Sequence, residues 1–167
     1  MNSNALEPLV ICDASPLILL ARLGHLHIIA ALAEEIWIPQ TVWDEVTHPA
    51  APQTEIASLR ALFAHCIVRA DAALESAFRL QVDPGEASAL ALIARNPHGC
   101  LLIDDSRGRS IARQSGWRHI GTLGWLLRAK RAGLIQELRP LFEILRQLGW
   151  FIAPRLIEET LRAAGET

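Results

Sequence analysis

Apolar residues occur along this chain in short runs separated by stretches of helical periodicity. Two runs, Leu9 to Cys12 and Cys100 to Ile103, are continuous and short, which is typical of strands buried on both faces. Weaker strands are predicted over residues 35–38, 66–68 and 117–120. Between and after these runs, apolar residues recur three or four positions apart, and this spacing predicts helices.

Turn residues mark where several of these helices begin and end. Ser15 followed by Pro16 predicts an N-cap with proline at the first helical position, and Pro84 opens a helix that ends near Asn96. Further helices are predicted over residues 40–47, 106–115 and 123–132. Two more are predicted in the tail, the first beginning near Leu138 because Pro140 fits only a first turn.

Strands that alternate with helices indicate a parallel sheet covered by helices on both faces. The predicted fold is therefore a three-layer α/β/α domain with a central, mainly parallel sheet and additional C-terminal helices. We predict one domain over residues 1–167, in which residues of about 134–165 form a helical C-terminal extension.

Composition narrows the class of protein further. The 167 residues are 51% hydrophobic, which excludes a disordered chain, and 16 basic against 18 acidic residues leave a net charge of −2. Three cysteines without CxxC spacing predict reduced, buried thiols. No apolar run is long enough to span a membrane, and the N-terminus lacks the basic region of a signal peptide, so we expect a cytoplasmic protein.

Acidic residues follow the two best strands. Asp13 ends the first run, and Asp104 and Asp105 end the later one. Open parallel sheets bind ligands beyond the carboxyl ends of their strands, where these acids would converge and require a cation between them. Mg²⁺ or Mn²⁺ is the natural counter-charge for carboxylate oxygens. Each of the acids could alternatively be only a helix N-cap.

Two further acids lie on predicted helices, Glu45 after the second strand and Glu86 in the first turn of the Pro84 helix. Taken alone, Glu45 indicates a solvated helix face, and Glu86 indicates an anion favoured by the helix dipole. The six histidines are scattered without zinc-ligand spacing, which indicates surface or loop positions.

Taken together, these segments resemble the acidic motifs of PIN domains. The segments that carry the likeness are Asp13-Ala14-Ser15-Pro16-Leu17-Ile18, Val42-Trp43-Asp44-Glu45-Val46, Pro84-Gly85-Glu86-Ala87 and Leu101-Leu102-Ile103-Asp104-Asp105-Ser106-Arg107-Gly108-Arg109. The downstream Gly121-Thr122-Leu123-Gly124-Trp125 is similar to a subgroup of predicted PIN-fold nucleic-acid-binding proteins.

The resemblance implies a metal-dependent ribonuclease, in many members the toxin of a toxin–antitoxin pair. The implied catalytic acids are Asp13, Glu45, Glu86 and Asp105. The implied metal ligands are these four acids and the adjacent Asp104, with Ser15 as a polar neighbour that contacts nucleic acid. The implied cofactor is Mg²⁺ or Mn²⁺, and the implied partners are RNA and a cognate antitoxin, with the tail helices offering an antitoxin or homodimer surface.

The net charge of −2 for the whole chain does not reveal that one segment is strongly basic. Residues 106–136 contain seven Lys and Arg residues and no acidic residue, and the segment begins directly after Asp105. Arginine binds phosphate through paired hydrogen bonds, so Arg107, Arg109 and Arg113 are predicted to position nucleic acid. The alternative is an ordinary solvated helix face.

Three functions remain open at this point. The first is a metal-dependent RNA endonuclease, the second a non-catalytic nucleic-acid-binding or adaptor module, and the third a small-molecule phosphohydrolase. The absence of the two glycine-rich phosphate-binding motifs, GxxxxGK[ST] and GxGxxG, counts against the third. The five tryptophans could stack bases, but most occupy apolar positions typical of a core.

Overall fold

A computed structural model of the chain describes residues 5–166. Residues 1–4 and residue 167 lie outside the described residues. Residues 1–4 are the start of the N-terminal segment that we expect not to be a signal peptide. In the part that is described, no helix is long and apolar enough to cross a membrane.

Five strands form one sheet in the order β3-β2-β1-β4-β5, and every pair is parallel. The sequence analysis expects a mainly parallel sheet, and the observed sheet is wholly parallel. The strands are β1 (Glu7–Cys12), β2 (Ala33–Pro39), β3 (Ile67–Val68), β4 (Cys100–Leu102) and β5 (Arg118–Ile120).

Within residues 5–166, ten helices connect and follow these strands. They are α1 (Ala14–Arg22), α2 (His27–Leu32), α3 (Gln40–Val46), α4 (Gln53–Phe63), α5 (Ala72–Phe78), α6 (Pro84–Arg95), α7 (Ser106–Gln114), α8 (Thr122–Arg131), α9 (Arg139–Gln147) and α10 (Pro154–Ala163).

Side chains alternate between two cores, one on each face of the sheet. Val10 and Leu102 point into a core shared with α1, α2, α8 and the tail helices, whereas Ile11, Leu101 and Ile103 point into a core shared with α6 and α7. This alternation is the period of two that an extended strand imposes. Helices therefore cover both faces, and the three-layer α/β/α architecture is confirmed.

The order of the strands creates a crevice at the carboxyl end of the sheet. From β1 the chain proceeds outward to β2 and β3, then returns to place β4 on the other side of β1. Connections therefore leave β1 and β4 in opposite directions, and such a switch point is where open parallel sheets bind ligands.

Two local predictions are wrong. Ser15 is not an N-cap, because α1 already begins at Ala14 and Asp13 occupies the cap position. Helix α5, which forms between β3 and Pro84, is not predicted from the sequence. None of the residues of α5 is fully buried, so it lacks the apolar stripe that would reveal it, and the side chain of Asp71 caps its first turn.

The three cysteines behave as expected: Cys12, Cys66 and Cys100 are all free and buried. Burial raises the pKa values of all three thiols above their usual range, so they remain protonated and pack as small apolar side chains.

Candidate active site

The crevice between β1 and β4 is bordered by carboxylates from both strand ends. Asp13 directly follows β1, and its backbone N–H donates to the carbonyl of Leu102 in β4 at 3.0 Å. Asp104 and Asp105 lie two and three residues beyond the end of β4. The pairing of β1 with β4 thus brings together acids that are about 90 positions apart in the sequence.

The N-terminal turn of α6 closes this crevice at Gly85. A Cβ added to Gly85 would lie 3.0 Å from Glu45 Oε2 and 3.7 Å from Asp13 Oδ1. The absence of a side chain at Gly85 therefore allows the carboxylates of Glu45, on α3, and Asp13 to approach the backbone of α6.

Asp13 is a buried acid without a compensating cation. It is only 3% exposed, it makes no side-chain capping bond to α1, and it takes part in none of the ion pairs among residues 5–166. Burial raises its pKa to about 7, and the nearby charges of Asp83, Glu45 and Asp104 add to the rise. Such a group is costly to the fold unless something positive binds it.

The pKa values of Glu86 and Glu45 are raised by the same two causes, burial and the charges of neighbouring acids. Burial raises the pKa of Glu86 to about 8, with Asp83, Asp105 and Asp13 contributing in that order. Burial also raises the pKa of Glu45, and the charge of Asp83 adds to it. The carboxylates therefore repel one another across a single site.

Asp83 is a member of this cluster that the sequence analysis does not single out. Its side chain caps α6 by accepting a hydrogen bond from the Glu86 N–H at 3.0 Å, and its charge raises the pKa values of Asp13, Glu45 and Glu86. An aspartate before Pro84 is a clear N-cap signal in the sequence. Its closeness to Asp13 and Glu45 depends on the tertiary fold.

Asp104 and Asp105 make different local contacts. Asp105 caps α7, the alternative that the sequence leaves open for each acid, because its Oδ2 accepts hydrogen bonds from the N–H groups of Arg107 and Gly108, both at 2.8 Å. Asp104 instead accepts from Thr122, from its N–H at 2.7 Å and from its hydroxyl at 2.6 Å, and so ties the end of β4 to the start of α8.

The basic segment is less positive at its surface than its sequence indicates. Arg118 and Arg128 both pair with the buried carboxylate of Glu7, and Lys130 pairs with Glu166. Burial alone would raise the pKa of Glu7, but the hydrogen bonds from Arg128 and Arg118 outweigh that effect and lower it.

The three arginines predicted to bind nucleic acid are different, because none of them joins an ion pair among residues 5–166. Arg107 and Arg113 are exposed on α7, whereas Arg109 lines a groove beside Ser15, Glu86, Asp104 and Asp105. Three basic side chains that form no ion pair among residues 5–166 therefore lie on α7, which follows Asp105 directly.

The donor set suits a hard divalent cation by its chemistry. The two charged groups nearest to Gly85 are carboxylates, and burial together with neighbouring acids raises the pKa values of Asp13 and Glu86. Within residues 5–166 no three His, Cys, Asp or Glu side chains are already grouped closely enough to enclose an ion. The acids thus supply suitable oxygens without forming a closed ligand shell.

Residues 9–166 match the DUF3368 family model, which is described as a PIN domain. The chain belongs to the PIN-domain family. No curated protein and no solved structure matches it significantly. The match confirms the family that the sequence motifs resemble. PIN domains are generally nucleases and typically use divalent metals, so the fold is of a nuclease type.

We expect this PIN domain, when free of metal, to lose stability as the pH rises from 5.5 to 8.5. The folded-state pKa values of Asp13 and Glu86, about 7 and 8, exceed the values near 4 of an unfolded chain. The folded protein therefore holds protons that the unfolded chain has lost. Their stabilising effect is complete below about pH 4 and disappears as the pH passes through 7 and 8.

The measurement is thermal unfolding in EDTA at both pH values. A loss on the order of 2 kcal/mol would lower the Tm by about 4 to 8 °C. Added Mg²⁺ or Mn²⁺ should restore most of this loss at pH 8.5 and little at pH 5.5, because the cation then replaces the protons. A Tm that is independent of both pH and metal would contradict the electrostatic description of the site.

Proposed function

We propose that this PIN domain is a metal-dependent endoribonuclease that hydrolyses phosphodiester bonds in RNA, and that it acts as the toxin of a toxin–antitoxin pair. The observation that supports the proposal is the carboxylate cluster at the switch point, where Glu45 and Asp13 both approach Gly85 and Asp13 pairs with no basic side chain among residues 5–166. An arrangement that costs folding energy at neutral pH indicates selection for a ligand.

In this proposal, Asp13, Glu45, Glu86 and Asp105 would hold Mg²⁺ or Mn²⁺, with Asp104 beside them. Bound there, such an ion would activate water and stabilise charge on the phosphate. The protein's own contribution is to hold the carboxylates rigidly at the ends of β1 and β4. Arg109, whose guanidinium has no carboxylate partner in the described chain, is placed to bind the phosphate of the strand.

The direct test is cleavage of an end-labelled single-stranded RNA by the purified protein. We expect cleavage at internal positions with Mn²⁺ or Mg²⁺ and none with EDTA. Cleavage that persists in EDTA would exclude a metal-dependent reaction. RNA that is bound in both conditions but never cut would favour the binding-only module, for which the full engagement of the Asp104 carboxylate by Thr122 is the supporting observation.

The toxin role needs its own experiment, because a nuclease activity in vitro does not establish it. Induced expression of the chain in a bacterial host should stop growth, and the Asp13→Asn variant should not. Rescue by a small protein encoded beside the gene would identify the antitoxin. Normal growth at a verified level of active protein would contradict the toxin role and leave the nuclease proposal intact.

We expect replacement of Arg107, Arg109 and Arg113 by Gln to weaken RNA binding and reduce its salt dependence. Each lost phosphate contact on a single strand lowers the slope of log K against log salt by about 0.7, so three contacts lower it by about 2. The matched control replaces Arg79, Arg95 and Arg146, which are already paired with acids. Equal slopes for the two triple variants would show that α7 faces away from RNA.

A further inference from the structure

A groove of about 680 Å³ extends from the carboxylates toward the C-terminal helices. Its lining includes Glu86 and Asp105 as well as Trp150, Phe151 and Leu156. These apolar residues lie in and around the connection between α9 and α10. The C-terminal extension therefore forms one wall of a space that opens directly onto the candidate active site.

The apolar wall includes an aromatic ring that the fold does not use. Phe151 is 88% exposed, whereas Trp150 is half-buried and its ring packs against the guanidinium of Arg22, 5.9 Å from the ring centroid. A single exposed apolar residue is ordinary on a protein surface. An exposed phenyl ring beside a fixed indole, both lining one groove, is instead suited to a flat ligand.

Arg109 lines the same groove and supplies a positive charge there. Its Nη1 lies near Gly121, 3.4 Å from where a Cβ would stand, and the same position is 3.0 Å from Asp104 Oδ1. Among the described residues its buried Nε has no hydrogen-bond partner, and its guanidinium forms no ion pair. An unpaired guanidinium in a groove favours an anion such as phosphate.

We propose that this groove holds one unpaired nucleobase of the RNA strand, stacked on Phe151, while Arg109 binds an adjacent phosphate. The proposal rests on the nuclease function proposed above and adds to it one base-binding position, where a base that is free of a duplex can stack on a side chain. Carboxylates, an arginine and aromatic rings line the same groove, so one space offers partners for both the phosphate and the base of a nucleotide. A volume of about 680 Å³ is within the range of small-ligand sites.

A protein segment is the other occupant that an exposed phenyl ring could attract. An apolar peptide would cover Phe151 and Leu156, but it would leave Arg109 without an anion. A nucleotide provides both an anion for Arg109 and a flat base for Phe151, and we therefore favour RNA.

The test compares a labelled 12-nucleotide single-stranded RNA with an abasic strand of equal length. Binding is measured in Ca²⁺, with the integrity of each strand checked on a gel. Phe151→Ala should weaken binding of the intact strand by about 5- to 100-fold, the range expected for loss of one stacked base. It should leave binding of the abasic strand unchanged, and Phe151→Trp should bind the intact strand as tightly as the unmodified protein.

The matched control is Leu6→Ala, which also removes an exposed apolar side chain but lies before β1, at the opposite end of the strand from the carboxylates. It should change neither affinity. Circular dichroism checks the fold of each variant. The ring of Phe151 is 88% exposed and therefore contributes little to the stability of the fold.

Three results would overturn the proposal. They are equal losses for the intact and abasic strands in Phe151→Ala, full affinity in Phe151→Leu, and no RNA binding by the unmodified protein. Full affinity in Phe151→Leu would show that binding depends on apolar surface area rather than on stacking. An apolar protein segment would bind in that way. Either of the first two results in a protein that cleaves RNA removes this base site but not the nuclease function. A protein that never cleaves and still discriminates the two strands removes the nuclease function alone.

Discussion

Asp13→Asn should lower Mn²⁺-dependent RNA cleavage by more than about 100-fold while leaving the fold intact. Substitutions of residues that only orient metal ligands typically cost 10- to 100-fold, so loss of a direct ligand should cost more. An amide has nearly the same volume as the carboxylate, and Asp13 makes neither an ion pair nor a capping bond that an amide would break.

The same variant should be more stable than the unmodified protein when both are free of metal at pH 8.5. Burial raises the pKa of Asp13 to about 7, so at pH 8.5 the folded chain carries a buried charge that the amide does not have. We expect a gain of about 1 to 2 kcal/mol, measured by thermal unfolding in EDTA. Activity and stability would then change in opposite directions, as is common at functional sites.

Asp44→Asn is the control for this experiment. Asp44 lies on α3 next to Glu45, but its side chain is exposed and accepts a hydrogen bond only from Gln40, at 2.8 Å. It should keep both activity and stability. If Asp13→Asn instead retains full cleavage, or if it unfolds while Asp44→Asn does not, Asp13 is a structural residue rather than a metal ligand.

Much of the fold could be predicted because its signals are local. The apolar runs that form β1 and β4 are short and continuous, and the proline and glycine positions mark most helix ends. Leu101 and Ile103 lie on the same face of the sheet, as the period of two requires. Helix α5 escapes such reasoning because its stability comes from contacts with α6 rather than from an apolar stripe of its own.

The site is harder to predict because its electrostatics depend on contacts between distant segments. Asp83 is recognisable as a cap, but its effect on Asp13 requires α6 to pack beside β1. The pairing of Asp104 with Thr122 follows from the alignment of β4 with β5. Glu7 binds arginines more than 110 residues away, which removes positive charge that the sequence alone assigns to the surface.

The exposed phenyl ring of Phe151 shows a different limit. Hydrophobic patterning predicts that apolar residues are buried, and Trp150, Phe151 and Ile152 form an apolar run. Only the structure shows that Phe151 is 88% exposed while its neighbours are partly buried. A residue that departs from the pattern in this way is a candidate for binding, because packing does not explain it.

Asp105→Asn should cost at least about 100-fold in cleavage, whereas Asp104→Asn should cost less than about 10-fold. Asp105 uses only Oδ2 to cap α7, and among the described residues its Oδ1 has no hydrogen-bond partner, which leaves it available to a cation. Both oxygens of Asp104 are already engaged by Thr122. The carboxylate that retains a free oxygen is the better metal ligand.

Stability should respond in the opposite order. Asparagine is as good an N-cap as aspartate, so Asp105→Asn should change the free energy of unfolding by less than about 0.5 kcal/mol. Asp104→Asn weakens two charge-assisted bonds to Thr122 and should cost about 1 to 2 kcal/mol. Thr122→Val, which removes only the hydroxyl of a buried residue, should reproduce part of this loss without affecting the metal site.

Cleavage with Mn²⁺ and thermal unfolding are measured on the same preparations of all three variants. An inactive Asp104→Asn beside an active Asp105→Asn would mean that the metal is bound on the Thr122 side of the crevice. Full activity in both would remove the end of β4 from the catalytic site. The expected pattern, activity lost at Asp105 and stability lost at Asp104, would assign one carboxylate to catalysis and its neighbour to holding α8 in place.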